Sequence, residues 1–494
     1  MPRRVVIVGA GPAGLAAATE LLEREFAVTI LEQDERYVGG IARTVRYNGF
    51  RFDIGGHRFF TKNHEIEQWW HDRLPGDFLA VNRQTRILYR RRLFDYPLRP
   101  GNALRNLGLL TSAACVLSYA RSRLFPIRPE LTFEDWVCNR FGRRLFNIFF
   151  KTYTEKVWGM KCREISADWA AQRIRGLSLT DAILNAFRGQ KRGQPVIKTL
   201  IDQFQYPRLG SGMLWEKTRD DLVRSGAQVL MGKKVEQIHH SGERVLQVQT
   251  VTRTGERETW SADDFIFSMP LRDCALGLRP RISTAVEAAA RGLRYRDFLI
   301  VALIVKGEQL FPDNWIYVHD PGVRVGRVDN FNNWSPDMVP QPGMTCLGLE
   351  YFCNADEPLW KAADEDLIAL AKSEAGKIDL IDPGSVVDGC VVRMEKAYPV
   401  YDTTYQTHVA TIRAALSGLK NIQMVGRNGM HKYNNQDHAM LTGIVAARNL
   451  KGIPCDPWRV NSDAEYLEAG QVDDAGRLVP QAAVAGTRQL THHG

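Results

Sequence analysis

A mixed α/β fold with a βαβ unit near its start is predicted by three observations. An apolar run, Val5 to Val8, leads into glycines at 9, 11 and 14; a second, Ala27 to Leu31, ends at an acid, Glu32; and later segments alternate between β-branched or aromatic runs and amphipathic stretches. Val5 to Val8 reads as a buried parallel strand. Gly9, Gly11 and Gly14 follow in G-x-G-x-x-G order, with Pro12 and Ala13 opening a helix. The first glycine makes the tight turn, the second lets the backbone approach a pyrophosphate, and the third lets helix and strand pack closely. The helix N-terminus then offers unpaired N–H groups and a partial positive charge to the anion. Glu32 stands roughly 20 residues on, where a carboxylate accepts ribose hydroxyls. Strand, turn, helix, strand and acid together predict a Rossmann-type dinucleotide site.

Phe78 to Tyr96 has the alternation of a hairpin, and Pro100 to Gly189 turns helical, with amphipathic spacing around Leu131–Phe150 and Asp168–Phe187. Leu209 to Val223 reads as a glycine turn into a helix. Strands over Ala227–Ile238 and Asp264–Met269, with an antiparallel ribbon between them, return the chain to the nucleotide-binding unit and place Val235 near the adenine end. Phe298–Val305, Trp315–Val318, Cys346–Phe352 and Val391–Met394 suggest an antiparallel substrate-facing sheet. Ile422–Val425 adds a buried strand and Asp437–Asn449 a closing helix. The expected domains are residues 1–77 with 201–290 and 405–455 around the dinucleotide, a helical insertion over 100–200, and a sheet domain from 78–99 with 291–404. Residues 456–494 read as a surface tail.

At 494 residues the chain can bury two or three cores. No apolar run reaches the ~20 residues of a membrane helix, and the chain opens almost directly on its first strand, so a cytoplasmic protein without a leader is expected. Eight scattered cysteines without a C-x-x-C pair point to reduced thiols, and no metal site is expected. The net charge of +9 gathers in Arg83–Arg99 and Arg121–Arg144, which suits a solvated basic face or a peripheral membrane contact; no nucleic-acid motif accompanies it.

Gly39-Gly40 with Arg43, followed by FDIGGH with Gly55, Gly56 and His57, is shared by a broad group of flavoproteins that includes amine oxidases and desaturases, and implies FAD. KVWGMKCREISADWAAQRI, NWIYV, GRVDNFNNWSP, KAYPV and GRNGMHKYNNQDHAMLTGIVAARNL narrow the choice, because in this order they resemble the UDP-galactopyranose mutase family, most closely its eukaryotic-type branch. The resemblance implies a reduced FAD whose N5 attacks the anomeric carbon of a UDP-sugar, with displacement of UDP and reclosure of the sugar as a furanose. Arg173 and Arg327 match the arginines that clamp the diphosphate, Tyr398 and Tyr433 a tyrosine pair that hydrogen-bonds it, Trp315 and Tyr317 positions near the nucleotide, and Phe60 and Tyr96 aromatics close to the uracil. His57 matches a histidine that tunes the flavin. Gly426, Arg427, Asn435 and Gln436 match the segment that brings a helix N-terminus to the flavin ring, where it stabilises an anionic reduced flavin.

Thr154 replaces the asparagine expected before the tryptophan of KVW, and Leu98-Arg99 replace Phe and Gln, so a sugar or base other than those of UDP-galactose is compatible with the chain. The competing expectation is an oxidoreductase of the amine oxidase or desaturase type, with the arginine-flanked stretch Leu107–Ala120 facing a membrane-borne substrate. No second strand-linked G-x-G-x-x-G occurs, so NAD(P)H enters only as an external reductant. A scaffold without catalysis is disfavoured, since it gains nothing from buried cations. Oligomeric state is not legible.

Overall fold

The structure is a computed structural model that describes residues 1–22, 25–174 and 203–460. Its organising element is a five-stranded, wholly parallel sheet in the order Ile422–Met424, Asp264–Phe267, Arg3–Val8, Phe26–Leu31, Gln228–Leu230. Val5, Val6, Ile7 and Val8 are all buried, as a central parallel strand covered on both faces requires. The Pro12–Glu20 helix crosses one face and is backed by the Gln436–Leu450 helix. These two helices touch backbone to backbone, since a Cβ on Gly443 would lie 2.0 Å from the Ala13 carbonyl oxygen.

A second sheet has seven strands in the order Val386–Pro399, Tyr295–Lys306, Met344–Cys353, Arg327–Asn330, Trp315–Val318, Thr85–Tyr89, Arg92–Asp95. Its neighbours pair antiparallel as the sequence suggests, except Trp315–Val318 and Thr85–Tyr89, which run parallel. Its longest interior strand, Tyr295–Lys306, is buried from Arg296 to Val305 because helices and loops cover both faces.

Two strand boundaries differ from expectation. The hairpin is confined to Thr85–Asp95, whereas Phe78–Asn82 pairs with Gln203–Pro207. The Ala227–Ile238 segment is cut by Gly232, at φ +69°, into Gln228–Leu230 and Lys234–Ser241, which belong to different sheets. The part of the amphipathic expectation beyond Ile174, like the tail beyond Val460, lies outside the described residues. Before that point the helical segments Phe133–Phe141, Phe146–Lys151, Thr152–Trp158 and Ala167–Ile174 form a layer whose aromatic residues Trp136, Phe146, Phe149 and Trp158 share a core with Phe94 of the seven-stranded sheet and with Val400, just past its edge strand. Helical layer, seven-stranded sheet and glycine turns converge on one cleft.

Candidate active site

The cofactor end of the cleft is made of glycines whose backbones approach one another and the neighbouring helix closely. Gly9 adopts φ +101°, and a Cβ on Gly14 would lie 2.0 Å from the Gly9 carbonyl oxygen, so turn and helix are locked together. The second glycine run faces the first: a Cβ on Gly40 would sit 3.6 Å from the Gly11 Cα. The Gly39 N–H donates to the Ala10 carbonyl at 2.8 Å and fixes that approach. Glu32 is buried and accepts the N–H groups of Ala10 at 2.6 Å and Asp34 at 2.9 Å; burial raises its pKa against the effect of those donors. Arg43 pairs with Asp34 and covers Tyr37. Val235 is buried with Val8 and Leu31 in one cluster at the end of the parallel sheet.

Gly426, at φ +78°, approaches the dinucleotide helix so closely that a Cβ would meet that of Ala13 at 3.0 Å. Asn435 caps the Gln436–Leu450 helix, with a reciprocal contact between its backbone N–H and His438. Gln436 accepts from Ser211 and Trp215 through its oxygen, while its buried Nε2 has no hydrogen-bond partner among the described residues. Paired glycine runs, a 15-residue helix starting at their side and an unsatisfied amide donor together fit a bound dinucleotide.

His57 leaves the GGH turn with its Nε2 3.0 Å from the Ile54 carbonyl. Desolvation in the cleft first, and Arg427 second, lower its pKa to about 3, so the imidazole is neutral. Directly behind this turn lies Arg327: a Cβ on Gly55 would be 3.1 Å from its Nη2 and 3.0 Å from Glu350 Oε1. Arg327 and Glu350 are direct cross-strand partners, and one guanidinium nitrogen donates to the Glu350 carboxylate. Burial disfavours the Arg327 charge, but Glu350 and then Asp329 more than offset this and hold its pKa above the usual value. Its Nε, 3.8 Å from Asp329, is buried and makes no hydrogen bond among the described residues.

Aromatic rings wall the rest. Tyr398 and Tyr433 stack at 5.8 Å and 15°, with Arg427 over both rings at 5.6 and 4.5 Å. Trp169 meets Tyr433 at 5.0 Å and Trp158 at 4.7 Å. Tyr317 receives Tyr96 and Tyr153 edge-on, each at 5.4 Å. Trp315 lies 6.3 Å from Tyr317 on the same strand face, is buried against Trp334, and carries the Arg58 guanidinium 5.3 Å above its ring. Arg173 stands one turn after Trp169 on the Ala167–Ile174 helix; its side chain lies outside the described part. Phe60 is half-exposed and has no ring contact with this set among the described residues, whereas neighbouring Phe59 packs in the core on Trp70 and Phe78.

The sequence reading passed over Tyr153, Trp158, Trp169, Arg58, Asp329 and Glu350. For Glu350 a signal exists: an acid inside the otherwise apolar run CLGLEYFC must find a partner when the strand is buried. The three aromatics from the helical layer had no such mark, since their meeting with Tyr317 and Tyr433 is a long-range event.

A glycine cradle beside a cation-lined aromatic cleft defines a flavin-dependent enzyme class. The sequence matches the flavin containing amine oxidoreductase family over residues 12–451, and the chain belongs to that family. Among solved structures it resembles reduced UDP-galactopyranose mutase with a TM-score of 0.79 and 23% identity, covering 93% of this chain and 98% of that one. It also resembles a putative protoporphyrinogen oxidase from Exiguobacterium sp. 255-15 (TM-score 0.66, 18% identity, 91% of this chain and 99% of that one). At these identities the likeness shows the fold. A probable UDP-galactopyranose mutase from Klebsiella pneumoniae is 25% identical over 174 residues, 33% of this chain and 43% of that protein. An L-amino-acid oxidase from Crotalus adamanteus is 46% identical over 68 residues, 14% of this chain and 13% of the oxidase. The chain thus matches less than half the length of these curated relatives.

Proposed function

We propose that the protein is a flavin-dependent nucleotide-sugar mutase that interconverts pyranose and furanose forms of a sugar bound through a diphosphate. The observation that carries this reading is Arg327: a cation placed against the GGH turn, anchored by Glu350, with Tyr153, Tyr317 and Tyr398 around it. Gly9–Gly14, Gly39–Gly40, Arg43 and the helix that starts at Gln436 would hold FAD, which when bound and reduced would supply a nucleophile toward the anomeric carbon.

The residues of the chain do the rest. Arg327 binds the diphosphate and stabilises the charge it gains as a leaving group; Glu350 keeps the guanidinium fixed so that little reorganisation is needed. Tyr398 and Tyr433 direct their hydroxyls to the same anion, and Arg427 over their rings adds a second positive charge nearby. Tyr96, Tyr317 and Trp315 offer flat surfaces to a base, and the resemblance of its motif assigns Arg173 as the second arginine for the diphosphate. Neutral His57 tunes the flavin environment without carrying a proton at neutral pH. NAD(P)H acts as an external reductant. The overlap with amino-acid oxidases is confined to a short stretch, and it supports a shared flavin site rather than a shared substrate.

The reading is tested by titrating the flavoprotein with UDP while following the flavin spectrum, in wild type and in Tyr398→Phe/Tyr433→Phe. Saturable binding, weakened in the variant by about tenfold for two lost hydrogen bonds of ~0.5–1.5 kcal/mol each, is the expected result. Absence of any nucleotide response, together with oxygen consumption driven by an amine or amino acid, would replace it with the oxidase reading.

A further inference from the structure

The helical layer has a second face, turned away from the cleft. The Leu109–Leu124 helix packs on Phe133–Phe141 and Arg143–Leu145. Its inward side is marked by buried Cys115 and by Tyr119, whose backbone nitrogen lies 2.7 Å from where a Gly142 Cβ would be. At a helical period of about 100° per residue, Leu110, Leu117 and Leu124 point opposite Cys115, with Leu109 and Val116 at the margin. All five are exposed, Leu110 at 90% and Leu117 at 71%, and Phe125 follows at 72%. A contiguous apolar stripe of this kind is uncommon on a surface that faces only water.

Charge decides what covers it. From Tyr96 to Pro129 the chain has five arginines, at 99, 105, 121, 123 and 128, and no Asp or Glu. Arg121 and Arg123 flank the stripe on its two sides. Among the described residues none of the five pairs with a carboxylate. At the C-terminal end of the helix Arg123 and Arg128 open into a cavity of about 390 Å³ with Ser122 and Arg140. Arg140 is already paired with Glu130, so Arg123 and Arg128 are the cations left for an outside anion. A second copy of the chain would set arginine rim against arginine rim. A sheet of lipid phosphates over an acyl boundary matches both features: apolar residues enter the boundary while guanidinium groups stay at the headgroups. Among the described residues no helix is long and apolar enough to cross a membrane, so the contact lies in the plane.

We propose that the Leu109–Leu124 face docks the protein on an anionic phospholipid bilayer, with Arg121, Arg123 and Arg128 at the phosphates. This is independent of the nucleotide-sugar reading. The test is flotation of the full-length protein with vesicles of phosphatidylcholine alone or mixed with phosphatidylglycerol. Wild type, Leu110→Asp/Leu117→Asp and Arg121→Gln/Arg123→Gln/Arg128→Gln are compared at low and high salt. All substituted positions are exposed, so the denaturation midpoint and flavin spectrum should match wild type.

Wild type is expected to float with the mixed vesicles and to be released by salt. The arginine variant should lose about fivefold in affinity per charge, the equivalent of ~1 kcal/mol for each basic residue near an anionic surface, or about a hundredfold in all. The aspartate variant should stay soluble. Wild type remaining unbound to the mixed vesicles, or both variants floating like it, would overturn the proposal. So would wild-type self-association in sedimentation velocity that the aspartate variant abolishes without any vesicle binding, since the face would then belong to a second copy.

Discussion

Replacing Arg327 by Met separates its two roles. The side chain is 17% exposed, while Glu350 and Asp329, which face it, are at 0%. Removing the cation leaves two buried acids without compensation, and breaking a buried pair in this way costs about 3–5 kcal/mol, a large share of the ~5–15 kcal/mol that holds a domain together. The sign of the pH dependence follows. Asp329 already has its pKa raised, by burial first and by Glu350 next, and loss of Arg327 pushes it further. A group whose folded pKa is raised contributes stability at low pH that disappears as pH rises through that value. The deficit of Arg327→Met should therefore be small near pH 5 and largest above pH 7. Adding Glu350→Gln removes one orphan charge and should recover most of the loss, because neutral replacement of a buried pair is often close to harmless. Nucleotide affinity should stay low in the double variant, since each charge-assisted bond to the diphosphate is worth about 1.5–3 kcal/mol. Urea denaturation at several pH values and UDP titration read the two effects separately. An Arg327→Met protein as stable as wild type at pH 8, or a double variant that regains nucleotide affinity, would refute the reasoning.

Other outcomes follow from single positions. Asp53 is fully buried, accepts from Thr44, Tyr206 and Ser211, and has its pKa raised to about 7, chiefly by burial. Its contribution is complete below about pH 4 and falls by roughly 4 kcal/mol as pH rises to 7, so Asp53→Asn should flatten the stability profile in that window, as measured by denaturation midpoints. Gly443→Ala forces its Cβ onto the Ala13 carbonyl and should cost about 1–3 kcal/mol as overpacking, together with weaker flavin retention on gel filtration. His57, held neutral with a pKa of about 3, should show no NMR titration between pH 5 and 8, and His57→Gln should shift the flavin potential rather than the pH profile.

The parts of this molecule that were legible in sequence are those whose physics is local. The Gly9–Gly14 turn, the strand before it and Glu32 announce themselves because each glycine answers to a backbone demand within a few residues. Trp315 and Tyr317 share a strand face, as a period of two requires, and their rings lie 6.3 Å apart. The errors share a cause as well. Phe78–Asn82 has strand chemistry, yet its partner, Gln203–Pro207, lies more than a hundred residues away, and alternation alone could not distinguish it from the adjacent hairpin. Gly232 splits a segment that reads as one strand because its left-handed conformation was not marked by a second turn residue. At the cleft, Tyr153, Trp158 and Trp169 come from helices whose docking is decided by tertiary packing, and the roles of Arg327 and Tyr398 rested on motif resemblance rather than on spacing.

The most direct measurement is chromatographic analysis of the sugar after incubating the chemically reduced and the oxidised protein with a panel of UDP-, TDP- and GDP-sugars. The account predicts a new ring isomer of one of them, formed only with the reduced protein and lost in Arg327→Met/Glu350→Gln. Unchanged sugars across the panel, with flavin reduction by an amine or amino acid instead, would contradict it.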